Sequence, residues 1–233
     1  MVAATRRWPS GLPGSTGDDV LIVYGGYTAK LEYSQSWAAE LYRARLRDLG
    51  VRHLYAVQGP AQAGYGAREI GNSKLAAHLV PYADEAETIH VVAHSSGAFV
   101  AHELLRQLTV GGLDPEGVTS GLIAYYNLDG GGSGFSETQA EHLGRLVYVY
   151  ARSGGSVSAN RSSMTWQASA YDGSELVEID ASSAGCYAGA KWCLHDAVII
   201  SRPHNPATFD LRRDYQDFDA ERRVITQYFE SAR

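Results

Sequence analysis

Apolar residues cluster in short, nearly continuous runs that alternate with helix-like segments from Val20 onward. Such runs are typical of strands that are covered on both faces, and their alternation with helices predicts β-α-β units with a parallel sheet. The runs predicted to be strands are Val20–Tyr24, His53–Val57, Ile89–Ala93, Leu122–Leu128, Leu146–Ala151 and Leu176–Ile179. The pattern therefore predicts a three-layer α/β fold with a mostly parallel central sheet of about six strands.

Between these runs, apolar residues recur at helical spacing, and one such stretch ends at Gly50, a residue type that commonly stops helices. The segments predicted to be helical are Gln35–Leu49, a stretch that ends at Pro81, a stretch that starts directly after Ser95, a stretch capped by Ser136 and Gln139, and Asp219–Phe229. No repeat or low-complexity segment interrupts this alternation. Residues 1–17 are therefore predicted to form an N-terminal extension, and residues 18–233 a single domain.

Composition narrows the classes of protein and of partner. Of the 233 residues, 45% are hydrophobic and 20% are charged, as in ordinary globular domains. The formal net charge of −6, without any run of Lys or Arg, argues against a nucleic-acid partner. No apolar stretch reaches membrane-spanning length, and Met1–Asp18 lacks the apolar core of a signal peptide. We therefore expect a soluble protein without a membrane span.

Two cysteines, Cys186 and Cys193, lie in the last quarter of the sequence. Their spacing is too wide for a CxxC redox pair, and no other cysteine completes a structural zinc site. They are either reduced thiols or a disulfide that closes a short loop, and we favour the disulfide, which forms in oxidising compartments. A disulfide would indicate secretion, and reduced thiols the cytoplasm.

The most informative segment surrounds Ser95, where a predicted strand leads through His94-Ser95-Ser96-Gly97 directly into a predicted helix. A serine on so sharp a strand-to-helix turn is strained, and the flanking positions, Ala93 and Gly97, have to be small. The start of the following helix also directs the N–H of Ser96 to where an oxyanion would form. The pattern favours Ser95 as a nucleophile, and the alternative is a helix N-cap after a buried strand.

This segment resembles the nucleophile turn of the α/β-hydrolase family, as a GxSxG variant with Ala93 in the first position. The resemblance covers almost the whole length from Val20 and is to serine esterases and lipases of the cutinase-like or minimal lipase-like type. It implies that the loop after the first strand supplies an oxyanion donor, the N–H of Gly26 or Tyr27. Tyr24 stands where many family members have His, so this match is one of position, and a plain tight turn is the alternative.

The family order of serine, acid and then histidine limits the partners of Ser95 to residues that follow it. His195 comes after the last strand and a loop, where the family places its base, and its surroundings are similar to those of the catalytic histidine of pancreatic-type lipases. Asp129 ends an earlier strand, in the acid position of those lipases. The candidates that stay open beside these two are His204 for the base, and Asp172 and Asp180 for the acid.

The resemblance implies hydrolysis of a carboxylic ester through an acyl-enzyme on Ser95. The ester would belong to a small molecule, a lipid or a polyester. About fifteen residues separate Asp129 from the next strand, too few for a large cap domain, so we expect an open cleft. No cofactor is implied, and no pair of His or carboxylate residues has the spacing of a metal site. The alternatives are a thioesterase or acyltransferase acting on carrier-bound acyl groups, and a non-catalytic protein that keeps only the fold.

Overall fold

The computed structural model of the chain describes residues 5–7, 19–44, 50–61, 73–81, 86–109, 112–130, 143–182, 186 and 190–199. Within these ranges the strands are β1 (Thr5–Arg7), β2 (Asp19–Tyr24), β3 (Val51–Val57), β4 (Ile89–His94), β5 (Ile123–Leu128), β6 (Arg145–Ser153), β7 (Ser156–Val157) and β8 (Glu175–Asp180). The helices are α1 (Leu31–Ala44), α2 (Ser73–Leu79), α3 (Gly97–Thr109), α4 (Val118–Gly121), α5 (Arg161–Ala170) and α6 (Lys191–Ala197). None of these helices has both the length and the apolar character needed to cross a membrane.

The strands in this part of the chain form one sheet in the order β1-β3-β2-β4-β5-β6, and both β7 and β8 pair with β6. The pairings that join β3, β2, β4, β5, β6 and β8 are all parallel, whereas β1 and β7 pair antiparallel. These six parallel strands correspond to the six apolar runs, which confirms the predicted mostly parallel sheet. The two short antiparallel strands are not predicted from the sequence, and β1 lies within the segment expected to be an extension.

Two separate cores lie on the two faces of the sheet, and successive residues of β2 alternate between them. Leu21 and Val23 belong to the core that α1 and α6 cover, while Val20 and Ile22 belong to the core that α2, α3 and α5 cover. Side chains point alternately to the two faces of a strand, so a strand buried on both faces is apolar at most of its positions. The helices on both faces confirm the predicted three layers.

The first helix begins earlier than the sequence pattern indicates. α1 starts at Leu31 rather than at Gln35, because the amides of Tyr33 and Ser34 already donate to the carbonyl of Lys30, at 3.1 and 3.3 Å. These residues are polar or only partly buried, so they extend the helix beyond its apolar stripe. The predicted start of this helix was therefore wrong by one turn.

The remaining helices differ in how clearly the sequence marks them. α3 begins directly after the turn at Ser95, as predicted. α5 is not predicted, because only Met164 and Gln167 among its side chains are buried, which leaves little apolar pattern to read. The helices predicted from Ser136 and over Asp219–Phe229 lie outside the described residues.

Candidate active site

Three neighbouring parallel strands, β2, β4 and β5, end in register at one edge of the sheet. Tyr24 of β2 pairs with Ala93 of β4, and His94 of β4 pairs with Leu128 of β5. In open α/β sheets ligands bind at this carboxyl edge. The residues that directly follow the three strands, and so lie side by side at this edge, are Gly25, Ser95 and Asp129.

Ser95 forms the turn between β4 and α3 with a left-handed backbone, φ 54°. Its N–H donates to the carbonyl of Leu128 at 3.1 Å and so extends the sheet, while its carbonyl accepts from the N–H of Ala98 at 3.1 Å and begins α3. A non-glycine residue in this conformation costs of order 1–2 kcal/mol, so it persists only where the surrounding structure imposes it. The backbone of Ser95 thus has the strained turn that the sequence predicts.

Glycines at positions 97 and 26 let two backbone segments approach this turn closely. A Cβ added to Gly97 would lie 2.5 Å from the carbonyl oxygen of Gly25, a distance that no side chain tolerates. A Cβ added to Gly26 would lie 3.1 Å from Nδ1 of His94 and 3.2 Å from Cβ of Ser95. The loop that follows β2 is therefore packed directly against Ser95.

Backbone hydrogen bonds fix the conformation of this loop, and they do not involve the N–H groups of Gly26 and Tyr27. The N–H of Thr28 donates to the carbonyl of Pro60 at 2.8 Å, and the N–H of Ala29 donates to that of Gly26 at 3.0 Å. Among the residues that the structure describes, no hydrogen bond occupies the N–H of Gly26 or of Tyr27. The amide of Gly26, which packs against Ser95, is thus a candidate donor to an oxyanion.

Asp129 is fully buried and, like Ser95, has a left-handed backbone, φ 45°. Its N–H donates to the carbonyl of Val149 at 2.8 Å. Asn160, at the start of α5, binds it twice: the Asn160 N–H donates to Oδ1 at 3.0 Å, and Nδ2 donates to the Asp129 carbonyl at 2.6 Å. These contacts fix both the backbone and one carboxylate oxygen of Asp129.

The other carboxylate oxygen of Asp129 binds His195. Oδ2 lies 2.5 Å from Nδ1 of His195, and both side chains are buried. An ionised carboxylate only accepts hydrogen bonds, so Nδ1 of His195 carries the proton and Nε2 has the free lone pair. This is the tautomer in which an imidazole can accept a proton at Nε2.

His94 connects the Ser95 turn to His195. Its Nε2–H donates to the backbone carbonyl of His195 at 3.0 Å, and the two ring centroids are 4.5 Å apart. Burial, together with the charge that His195 can carry, holds the pKa of His94 well below its usual range, so His94 is neutral near pH 7. Because His94 directly precedes Ser95, this contact keeps His195 close to the serine.

The structure brings the predicted site residues to one edge of the sheet. Ser96 is buried at the start of α3, and its carbonyl accepts from the N–H of Phe99 at 3.3 Å, while the Tyr27 side chain is 53% exposed. His195 lies in the helix α6, which follows the last strand, β8, in line with its predicted place in the chain. The residues predicted for the site and found at this edge are Gly26, Tyr27, Ser95, Ser96, Asp129 and His195.

The alternative acids lie elsewhere. Asp180 ends β8 and is exposed, and its Oδ1 accepts from the N–H of Ser182 at 2.9 Å, which lowers the pKa of this carboxyl. Asp172 is exposed in the turn after α5. The alternative base, His204, lies outside the described residues.

Two residues of this site are not predicted from the sequence, namely Asn160 and, for its contact with His195, His94. Asn160 is 31 positions from Asp129, and its hydrogen bonds depend on how β7 and α5 fold back over β6. An Asn before a helix ordinarily indicates only an N-cap. Nothing in the local sequence therefore identifies the partner of Asn160.

Cys186 and Cys193 form a disulfide, as favoured from the sequence, and the second cysteine is in α6 two positions before His195. The carbonyl of Cys186 accepts a hydrogen bond from Oγ of Ser153, at the end of β6, at 2.8 Å. The disulfide therefore ties the helix that carries His195 to the central sheet.

We expect the free energy of unfolding of a Cys186→Ala/Cys193→Ala double variant to be about 2–3 kcal/mol lower than that of the wild type, because the unfolded chain gains conformational entropy when the loop is opened. For a chain of this length such a change lowers Tm by roughly 5–10 °C. Circular-dichroism melts with and without dithiothreitol check this, since the reductant should lower the wild-type Tm alone. Equal Tm values for wild type and double variant would contradict it.

Trp192 is a large apolar side chain exposed beside the site. It is 72% exposed, and its ring lies edge-on to the His195 ring with centroids 5.6 Å apart. Its position is restrained, because the next residue, Cys193, is in the disulfide. The Trp192 side chain therefore offers an apolar surface next to the ring of the buried histidine.

The chain has some similarity to solved structures, at low TM-scores and low sequence identity. No protein-family model and no curated protein sequence matches the chain. Aspergillus fumigatus lipase B has a TM-score of 0.45 and 11% identity over 96% of this chain, which spans 64% of the length of that lipase. An esterase/lipase from an uncultured bacterium has a TM-score of 0.47 and 12% identity, over 83% of this chain and 82% of that one.

A third similar structure is the serine hydrolase CCSP0084 from the polyaromatic hydrocarbon-degrading bacterium Cycloclasticus zankles. Its TM-score is 0.40 and its identity 10%, over 76% of this chain and 90% of that one. The three structures that this chain resembles are thus a lipase, an esterase/lipase and a serine hydrolase.

Proposed function

We propose that this protein is a serine hydrolase that cleaves a carboxylic ester through an acyl-enzyme on Ser95. The observation that carries the proposal is the buried hydrogen bond between Asp129 and His195, next to a left-handed serine turn at the carboxyl edge of the sheet. An acid, an imidazole and a serine that follow in this chain order are the parts of a catalytic triad.

In the proposed mechanism, Nε2 of His195 takes the hydroxyl proton as Oγ of Ser95 attacks the acyl carbon. Asp129 keeps the proton of His195 on Nδ1 and stabilises the imidazolium that forms. The imidazolium then gives its proton to the leaving alcohol, and a covalent ester to Ser95 remains. Water, activated by the same histidine, hydrolyses this ester and restores the serine.

The negative charge on the acyl oxygen is stabilised by backbone amides. The amide of Ser96 is at the start of α3, where the helix dipole favours negative charge. The amide of Gly26 or Tyr27 supplies the second hydrogen bond from the loop that packs against Ser95. Both donors belong to backbone that is fixed before substrate binds, so they need no reorganisation during the reaction.

The test of the proposal is covalent labelling with a fluorophosphonate probe, followed by peptide mass spectrometry. We expect the wild type to be labelled on Ser95, because the probe reacts with serines that a neighbouring base activates. The variants His195→Ala and Asp129→Ala should be labelled at least 100-fold more slowly.

Asp172→Ala and Asp180→Ala are the matched controls, and both should be labelled at the wild-type rate. Loss of labelling in one of them, with normal labelling of Asp129→Ala, would transfer the role of the acid to that residue. A wild type that neither reacts with the probe nor hydrolyses esters or thioesters would mean that the fold has no catalytic function.

Trp192 is expected to contribute to binding of the apolar part of the ester. Its exposed ring lies next to His195, and burial of a tryptophan face against an alkyl or aryl group is favourable by about 25 cal/mol per Å². We expect Trp192→Ala to lower kcat/KM for p-nitrophenyl octanoate about tenfold and for p-nitrophenyl acetate less than twofold.

Trp166 provides the control for this prediction. It is 64% exposed on α5 and so is as accessible as Trp192, but it has no contact with His195 among the described residues. Trp166→Ala should leave both rate constants unchanged. Equal losses for the octanoate and acetate esters in Trp192→Ala would mean that the ring supports His195 and does not bind substrate.

A further inference from the structure

Three metal-ligating side chains meet at the site: His94, His195 and Asp196. One ligand atom of each lies within 4.8 Å of those of the other two. The two histidines are buried and Asp196 is partly exposed, so the group is accessible from the side of the carboxylate. We call these three residues the His-His-Asp cluster.

Each histidine of the cluster already has the outer partner that metal-binding histidines need. Such histidines usually donate one ring N–H to a carboxylate or a backbone carbonyl, which orients the ring and leaves the other nitrogen for the metal. His195 donates Nδ1–H to Asp129, and His94 donates Nε2–H to the backbone carbonyl of His195. The nitrogens that remain are Nε2 of His195 and Nδ1 of His94.

The donor set selects the kind of ion. Two imidazole nitrogens and one carboxylate oxygen suit Zn²⁺, whereas Ca²⁺ and Mg²⁺ prefer oxygen ligands alone. Bonds of about 2.0–2.1 Å place the ligands of a tetrahedral zinc ion roughly 3.4 Å apart. The ligand atoms of the cluster, which lie within 4.8 Å of one another, therefore have to come closer for zinc to bind.

We propose that Zn²⁺ binds the His-His-Asp cluster and blocks the site. Bound zinc occupies Nε2 of His195, the atom that takes the proton of Ser95 in the proposed mechanism. The ion is thus an inhibitor and not a catalytic cofactor. The binding step does not depend on the proposed function, whereas the inhibitory effect does.

Isothermal titration calorimetry with zinc chloride on chelator-treated protein tests the binding step. We expect one Zn²⁺ per wild-type chain, and a Kd at least tenfold higher for Asp196→Asn and for His94→Gln. Asp180→Asn, which changes an exposed carboxylate outside the cluster, should bind as the wild type does. Magnesium chloride should give no binding heat. Zinc binding that is equal in all four proteins, or no zinc binding at all, would overturn the proposal.

Ester hydrolysis tests the inhibitory step. Zn²⁺ should inhibit the wild type and an excess of EDTA should restore the rate, while Asp196→Asn keeps the basal rate and needs at least tenfold more Zn²⁺ for half-inhibition. Stoichiometric zinc binding without inhibition would overturn the inhibitory step. A protein that binds zinc at the cluster but hydrolyses no ester would refute the proposed function and leave the metal site standing.

Discussion

A Ser95→Ala variant is expected to lose ester hydrolysis almost completely, with kcat about 10⁴-fold or more below the wild type. The substitution removes the one oxygen that attacks the substrate in the proposed mechanism and leaves the Asp129–His195 pair in place. The backbone at position 95 is fixed by its own N–H and carbonyl, and alanine keeps both hydrogen bonds. We therefore expect Tm to change by no more than about 2 °C.

Initial rates with p-nitrophenyl butyrate and a circular-dichroism melt of the same sample measure both effects. Ser169→Ala is the matched control, since Ser169 is an exposed serine on α5 whose Oγ donates to the carbonyl of Trp166 at 2.7 Å. The control should keep the wild-type rate. A folded Ser95→Ala protein with activity within tenfold of the wild type would rule out the acyl-enzyme on Ser95.

The variant Asp129→Asn should lower kcat by about 10³–10⁴-fold, because it favours the tautomer of His195 that cannot act as a base towards Ser95. Asn has the same shape as Asp and tolerates the left-handed backbone, so its Oδ1 can still accept from the N–H of Asn160. Its Nδ2 then faces Nδ1 of His195 as a donor. The imidazole has to present a lone pair at Nδ1 and carries its proton on Nε2, where it cannot accept the proton of Ser95.

The measurement is kcat for Asp129→Asn beside Asp129→Ala, together with the Tm of both. Because Asp129 is fully buried and binds Asn160 and His195, Asp129→Ala should also unfold more easily, by about 1–3 kcal/mol for the unpaired buried donors. Asp180→Asn is the control and should keep the wild-type kcat. If Asp129→Asn turned over at the wild-type rate, Asp129 would be a turn residue only.

The parallel strands could be predicted because burial on both faces leaves a simple mark, a run with no polar interruption. The run Val20–Tyr24 of β2 shows this, since all five of its residues are buried. β1 consists of Thr5, Arg6 and Arg7, and only its antiparallel pairing with β3 makes it a strand. Neither its composition nor its neighbours along the chain indicate that pairing, which depends on contacts formed after folding.

The candidate site likewise combines positions that the local sequence predicts with contacts that form only on folding. The positions of Ser95 and Asp129 follow from strand ends, because residues after neighbouring parallel strands meet at one edge whatever the rest of the chain does. The local structure of His195 does not follow, since it lies in a short helix whose position depends on the disulfide and on Ser153. The contact of His94 with His195 joins residues 101 positions apart, and spacing rules for metal or triad motifs do not reach that far.

His195 also differs from the other site residues in the part of the fold that carries it. Gly26, Ser95 and Asp129 follow strands in the interior of the sheet, whereas His195 belongs to α6, a helix of seven residues. Short peripheral helices open at free energies well below that of global unfolding. Fraying of α6 would separate the base from its partners while the sheet remains intact. We therefore expect inactivation by heat to begin at α6, which the disulfide restrains, while the sheet is still folded.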